Sequence, residues 1–173
     1  MDRHCAAFVM CRRLAVLIHL NWQKKMDMRV LMLSPQCGVP QEICDQLLGA
    51  DSSHWSAGTL HLPCGGKLVV MNPTHEVQRQ HASLMEEVAH IHLKHKPTQL
   101  IHVNGIVLRS WDDSAEKQAY WLGAAALLPE RVLKGSRTLG KTIEDVAEEH
   151  VVSIPLVKFR TQILGIPLNS SLS

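Results

Sequence analysis

Residues 76–96 read EVQRQHASLMEEVAHIHLKHK and contain neither proline nor glycine. Apolar side chains at 84, 85, 88 and 91 fall on helical spacing, and Pro97 follows directly. Because proline disfavours the helical conformation in the residue before it, a helix should end near that position. We therefore predict one long amphipathic helix over Glu76–Lys96.

The string EEVAH, residues 86–90, carries the candidate chemistry of this helix. Glu86 and His90 lie one turn apart and project to the same side, where two side chains can grip one metal ion. The string is a variant of HExxH, in which two histidines bind zinc and the intervening glutamate, here Glu87, acts as general base. A carboxylate at the first position is a legitimate zinc ligand, but its charge should impair catalysis more than binding. The competing interpretation is a solvated helix face, and the string alone favours it.

Upstream of this helix the pattern predicts a small sheet. A loop around Pro35–Pro40 precedes a short helix that ends at Gly49. The segments WSAGTLHL (55–62) and KLVVMN (67–72) flank a glycine-containing turn and indicate a β-hairpin. Residues 4–20 are expected to be helical, with poor periodicity.

A second hairpin is predicted downstream, over LIHVNGIVLR at 100–109. Its turn would be Asn104-Gly105, a strong short-range signal for this structure.

A metal site would need a third protein ligand, and the next helix, predicted from Asp113 to Pro129, offers a candidate. Glu116 lies about one turn inside its start, and small residues at Ala119, Gly123 and Ala126 would permit close helix packing. The alternative is that Glu116 caps its own helix, since Asp113 and Glu116 have capping-box spacing. Spacing alone favours the cap.

The C-terminal part is predicted as a polar linker, 135–140, followed by helices at 142–149 and 154–164. Thr142 and Ser153 are suitable N-caps. Residues expected in the core shared by the two helices are Ala147, Val152, Val157 and Ile163.

The turn between these helices argues against a standard DNA reader. Val151 stands where a helix-turn-helix usually has glycine, and a β-branched residue tolerates positive φ poorly. Basic and acidic side chains nearly balance over 134–173. We therefore interpret the unit as a packing or partner-recognition element, with a DNA-binding module as a third hypothesis.

Bulk properties exclude several protein classes. The chain has 173 residues and a formal net charge of +2, so no strong field favours nucleic acid or an acidic membrane. Its five cysteines include no CxxC pair and indicate reduced thiols. Arg12 and Arg13 interrupt the N-terminal apolar run, and each half is far shorter than the roughly 20 residues that span a bilayer. We expect a cytoplasmic protein.

Three segments, in this order, resemble the ImmA/IrrE peptidase family. Residues 84–97, LMEEVAHIHLKHKP, resemble its HExxH helix with a further histidine, which His95 matches. Residues 116–133, EKQAYWLGAAALLPERVL, are similar to its second signature, in which an E-x-x-A start leads through FA-x-x-LL to a proline. Residues 68–84, LVVMNPTHEVQRQHASL, resemble its strand, Asn-Pro turn and helix entry. The similarity extends over about 55–166.

The resemblance implies an α+β fold in a bacterial protein. A mainly helical, zincin-like core with a small antiparallel β-sheet would occupy 1–134, with the first 50 or so residues divergent. A helix-turn-helix-like helical pair and a polar tail would occupy 135–173.

The resemblance also implies a zinc-dependent endopeptidase. Its metal ligands would be Glu86, His90 and Glu116, with Glu87 as general base. It favours Glu116 as a ligand over Glu116 as a cap. Two carboxylates and one imidazole form a harder ligand set that could bind zinc or prefer manganese or iron.

Departures from the family pattern motivate a rival hypothesis. Histidine is absent at 86, and Tyr120 stands where Asn or Asp is common. The first hypothesis is cleavage of a protein, with a helix-turn-helix repressor of stress or mobile-element genes as the substrate that the family suggests. The second is a regulator that has lost catalysis and binds a protein partner. Neither involves DNA or a membrane.

Overall fold

A computed structural model describes residues 26–62, 66–96, 99–103, 106–110 and 112–170. The predicted helix at 4–20, three turn residues at 63–65, and the turn Asn104-Gly105 lie outside the described residues.

The described chain alternates short strands and helices before it becomes wholly helical. A short 3-10 helix, Pro35–Cys37, follows the first strand. The strands are β1 (Met28–Met32), β2 (Ala57–His61), β3 (Lys67–Met71), β4 (Gln99–Val103) and β5 (Ile106–Ser110). The helices are α1 (Gln41–Leu48), α2 (Val77–Leu93), α3 (Asp113–Leu127), α4 (Glu130–Thr138), α5 (Ile143–Glu149) and α6 (Ile154–Leu164). The α+β, mainly helical class is thus confirmed.

The main sheet is mixed, so the prediction of an antiparallel sheet is wrong for one of its strand pairs. Its strand order is β1-β3-β2. The predicted hairpin is present, with β2 antiparallel to β3 and Thr59 opposite Val69. However, β1 pairs with β3 in parallel, with Val30 opposite Val69. The long connection through α1 and β2 allows this parallel pairing. The short run MRVLM has no turn signal beside it that would have indicated the pairing.

The second predicted hairpin is also present. β4 and β5 form a separate antiparallel pair in which Val103 lies opposite Ile106. The antiparallel pairing that the sequence predicts for these two segments is thus confirmed.

Helix α2 covers the sheet and ends at Leu93, three residues before the predicted end at Lys96. Lys94, in the left-handed conformation, forms its C-cap three residues before Pro97. Leu84 and Val88 pack with Met28, Val69 and Met71 in one buried cluster. The sheet and this cluster fix the orientation of the helix that carries the EEVAH string.

Helix α3 packs closely on α2 because a glycine lies between them. A Cβ atom at Gly123 would lie 3.1 to 3.2 Å from backbone atoms of Met85 and Glu86. Ala119 is fully buried, as the predicted small-residue face requires. Ala126 is exposed, so its place on that face was predicted wrongly, and Ala115 holds the equivalent position one turn before Ala119.

The predicted polar linker at 135–140 is mostly helix. Helix α4 extends to Thr138 and includes Gly135, so only Leu139 and Gly140 of the predicted linker lie outside it. Leu133 is fully buried and places α4 against the helical core. The glycine suggested a break, but tertiary packing overrides that propensity.

The two C-terminal helices begin at the predicted caps. Thr142 forms a capping box with Asp145, and the Ser153 hydroxyl accepts from the Leu156 amide. Val151 has φ 51° in the turn between the helices, so the β-branched residue does adopt the left-handed conformation there.

The shared core of these helices matches the prediction at three of four positions. The three buried residues are Ala147, Val152 and Val157. Ile163 is 49% exposed and lies outside the core cluster, so it was placed wrongly. The core cluster also includes Leu127 and Leu128 from the end of α3. The domain boundary at 134/135 stays a prediction. One core cluster includes residues from both sides of it, such as Leu133 and Ile143.

In the part of the chain that the structure describes, no helix is both long and apolar enough to cross a membrane.

Candidate metal centre

Glu86 and His90 of the EEVAH string lie on the side of α2 that faces α3, while Glu87 contacts the sheet. His90 is 4% exposed. Glu86 and Glu87 are half-buried. These three side chains therefore do not form the solvated face that the string alone would favour.

Glu116 on α3 meets His90 across the helix interface. Its Oε2 lies 3.8 Å from His90 Nε2, although the Glu116 side chain is 54% exposed. The capping alternative is wrong. Asp112 is the N-cap, and its side chain accepts from the Ala115 amide, which places Glu116 one residue beyond the capping-box position. The carboxyl group of Glu116 is thus available to face the histidine.

His95 is half-buried and lies beside His90. The Nδ1 atoms of the two rings are 3.0 Å apart, and the rings meet edge to face at 5.1 Å. When His90 carries its hydrogen on Nδ1, it donates to His95, and the Nε2 lone pair faces Glu116. The other histidine near the end of the helix, His92, is exposed.

Glu87 is held from the sheet. The hydroxyl of Thr59 on β2 donates to Glu87 Oε2 at 2.5 Å. Burial raises the pKa of the Glu87 carboxyl, while the Thr59 hydrogen bond acts to lower the pKa and the nearby Glu116 carboxylate to raise it.

The site concentrates negative charge in a partly desolvated space. Burial, with the neighbouring Glu116 and Glu87 carboxylates, raises the pKa of Glu86 to about 7. Burial also raises the pKa of Glu116. Burial and the adjacent His95 lower the pKa of His90 to about 4, so its ring is neutral at neutral pH, the form that binds metals.

The donor set fits a divalent cation in part. Two ligand atoms at tetrahedral positions about 2.1 Å from one ion are about 3.4 Å apart. The 3.8 Å between His90 Nε2 and Glu116 Oε2 is close to that separation. Within the described ranges, no group of three His, Cys, Asp or Glu side chains converges as placed. Glu86 would therefore have to rotate its side chain to complete the set.

A carboxylate and an imidazole brought together by two packed helices, with a second glutamate held by the sheet beside them, are the features of a metallopeptidase-like protein. The Peptidase_M78 family model, described as the IrrE N-terminal-like domain, matches residues 47–162. The chain belongs to this family, which confirms the resemblance to the ImmA/IrrE peptidases. No curated protein and no solved structure matches the chain.

The contacts of three residues near the site were not predicted from the sequence. Asp112 was overlooked because Asp113 beside it has the expected capping spacing. Contact of His95 with His90 depends on the left-handed Lys94 that turns the chain back. The inward direction of Thr59 could have been predicted from the sequence. Strand alternation places Thr59 on the same face as Ala57, which packs against the core.

Proposed function

We propose that this chain is a metal-dependent endopeptidase that acts on a protein substrate. Glu86, His90 and Glu116 would hold the ion, and Glu87 would be the general base. The observation that supports this most is the 3.8 Å approach of Glu116 to His90, because it brings a carboxylate from a second helix to the imidazole of the EEVAH string.

The ligand chemistry supports a cation at this point. A neutral imidazole nitrogen and a carboxylate oxygen that face each other are both acceptors, and a cation between them would satisfy both. It would also relieve the repulsion between Glu86 and Glu116. When bound, the ion would polarise a substrate carbonyl and acidify a water molecule. Zinc suits the imidazole, and manganese or iron suits the carboxylates.

Residues of the chain would transfer the proton and hold the ligands in place. Glu87, held by Thr59 through Oε2, keeps Oε1 to take a proton from the attacking water and return it to the leaving amine. Gly123 keeps α2 and α3 close, which holds the ligands of the two helices together.

Strand β2 offers a route for an extended peptide. It forms one edge of the three-stranded sheet, and Thr59 at its centre contacts Glu87. A peptide that pairs with a sheet edge gains main-chain hydrogen bonds, and here it would lie next to the base. Family membership supports a helix-turn-helix repressor of stress or mobile-element genes as the substrate, and a cytoplasmic location. The pair α5–α6 would serve packing or partner recognition rather than DNA binding.

Proteolysis tests this function directly. The zinc-loaded chain is incubated with labelled casein as a general protein probe and with a panel of helix-turn-helix repressors. We expect cleavage that disappears in Glu87→Gln and on chelation and returns when zinc is restored. Equal cleavage by the parent and Glu87→Gln would overturn the proposal.

A second candidate is a regulator that has lost catalysis and binds a protein partner. It is favoured by the carboxylate at 86 and by the absence of a convergent three-residue group in the described part of the chain. The variant Glu86→His discriminates between the two. A gain of zinc affinity and proteolysis over an inactive parent supports this candidate, whereas an already active parent excludes it.

A further inference from the structure

Thr59 occupies a position where a strand normally places an apolar side chain. It pairs with Val69, and residues directly opposite on neighbouring strands project to the same face. Val69 is fully buried in the cluster that includes Leu84 and Val88 of α2. Thr59 therefore projects toward α2, while Leu60, which faces the other way, is 39% exposed.

A polar side chain on the inner face of a strand needs a partner, and Thr59 has one. Its hydroxyl donates to Glu87 Oε2 at 2.5 Å across 28 residues of sequence. A hydroxyl-to-carboxylate bond of this length is typical of a charge-assisted pair, which measures about 2.5–2.7 Å. The contact joins the middle of the edge strand to the middle of the helix.

Glutamate has three rotatable side-chain bonds, so burial alone does not fix the direction of its carboxyl group. The bond from Thr59 engages Oε2 and thereby orients Oε1. Glu87 and Thr59 lie on different elements, and the sheet register fixes Thr59 in turn.

We propose that Thr59 is a positioning residue for Glu87, through which the edge strand β2 sets the orientation of the general base. This inference depends on the proposed endopeptidase function. Thr59 does not itself exchange a proton with substrate. A peptide that pairs with β2 would lie beside the strand that orients the base, so binding and proton transfer would share one rigid element.

The test uses the full zinc-loaded chain with labelled casein. Thr59→Val keeps the side-chain shape and removes the donor, and Thr59→Ser restores the hydroxyl. We expect kcat to fall about 10- to 100-fold in Thr59→Val with little change in KM, because misplacement of a catalytic group has effects of this size. Thr59→Ser should recover most of the rate. Zinc stoichiometry and the unfolding midpoint, measured for all three proteins, check that the fold and the metal site are intact.

A double-mutant cycle provides the second readout. Unfolding free energies of Thr59→Val, Glu87→Gln and the double variant should be non-additive, as expected for directly bonded residues. An active parent with a fully active Thr59→Val, or additive free energies, overturns this inference alone. A parent that shows no zinc-dependent cleavage overturns the proposed function, and the role of Thr59 with it.

Discussion

His81 on α2 donates from Nδ1 to the carbonyl oxygen of Val151 at 3.0 Å. The two residues lie 70 positions apart, and the bond joins the site-bearing helix to the turn between α5 and α6. His81 is 5% exposed, and within the described chain its Nε2 is buried without a hydrogen-bond partner. A neutral ring is thus required, since a second N–H there would have no acceptor.

The stability of the chain should therefore depend on the ionisation of His81. Burial lowers its pKa from the ordinary value of 6.5, although the Val151 carbonyl acts in the opposite direction. The unfolded chain then takes up this proton first as the pH falls. The stability that the neutral ring contributes is complete above pH 6.5 and is lost progressively below it.

Urea unfolding of the parent and His81→Gln between pH 8 and pH 5 measures this contribution. The parent should lose more stability than the variant as the pH falls below 6.5. Glu86 and His90 also titrate near this range with opposite signs, so the difference between the two proteins isolates His81. Parallel stability profiles would contradict the assignment.

Replacement of Val151 by glycine should stabilise the chain. A β-branched residue at φ 51° is strained by about 1–2 kcal/mol, and glycine adopts this conformation freely. Val151→Gly keeps the carbonyl that His81 binds, and we expect a net gain of about 1 kcal/mol in unfolding free energy. The neighbouring Val152 is buried, so Val152→Gly should lose about 2 kcal/mol or more. Destabilisation by both changes would show that Val151 is not strained.

The approach of α2 to α3 should depend on Gly123. An added Cβ would lie 3.1 Å from the Met85 carbonyl carbon and 3.2 Å from the Glu86 amide nitrogen, and backbone atoms at those distances cannot give way cheaply. Gly123→Ala should destabilise the chain by about 1–3 kcal/mol, as overpacking does, and should weaken zinc binding by separating His90 from Glu116.

Gly135 provides the matched control for this prediction. It also lies inside a helix, but a Cβ there meets open space. Gly135→Ala should stabilise the chain by about 0.5–1 kcal/mol, from helix propensity alone. Thermal or urea unfolding of both variants checks the pair, and a Gly123→Ala protein as stable as Gly135→Ala would show that the helices are free to separate.

Sequence patterns predicted the elements whose signals are local. The position of α2 to within three residues, the two hairpins and the caps Thr142 and Ser153 follow from proline, turn and capping residues near each element. The close packing of α3 followed from Ala119 and Gly123. These features depend on a few neighbouring residues, which a single sequence displays.

Features fixed by distant contacts were not predictable in the same way. Parallel pairing of β1 depends on β3, which lies more than 30 residues away. The bond from Thr59 to Glu87 and that from His81 to Val151 join separate elements. Helix α4 forms across Gly135 because Leu133 packs in the core. Long-range contacts of this kind override local propensity.

Loss of a ligand residue should weaken zinc binding far more than loss of a neighbouring side chain. Loss of an outer partner of a ligand typically costs about 10- to 100-fold in affinity, so loss of a ligand should cost at least about 100-fold. We expect this in His90→Ala and Glu116→Gln, measured by competition with a zinc indicator. His92→Ala, on the exposed side of the same helix, should bind zinc like the parent. Equal weakening in all three variants would place the ion elsewhere.

The most direct test of the account is the metal content of the purified parent chain. After saturation with zinc and removal of loosely bound ions, elemental analysis should give one zinc per chain, reduced to a small fraction in His90→Ala and retained in Glu87→Gln. Absence of stoichiometric zinc, manganese or iron in the parent would contradict a metal centre formed by Glu86, His90 and Glu116.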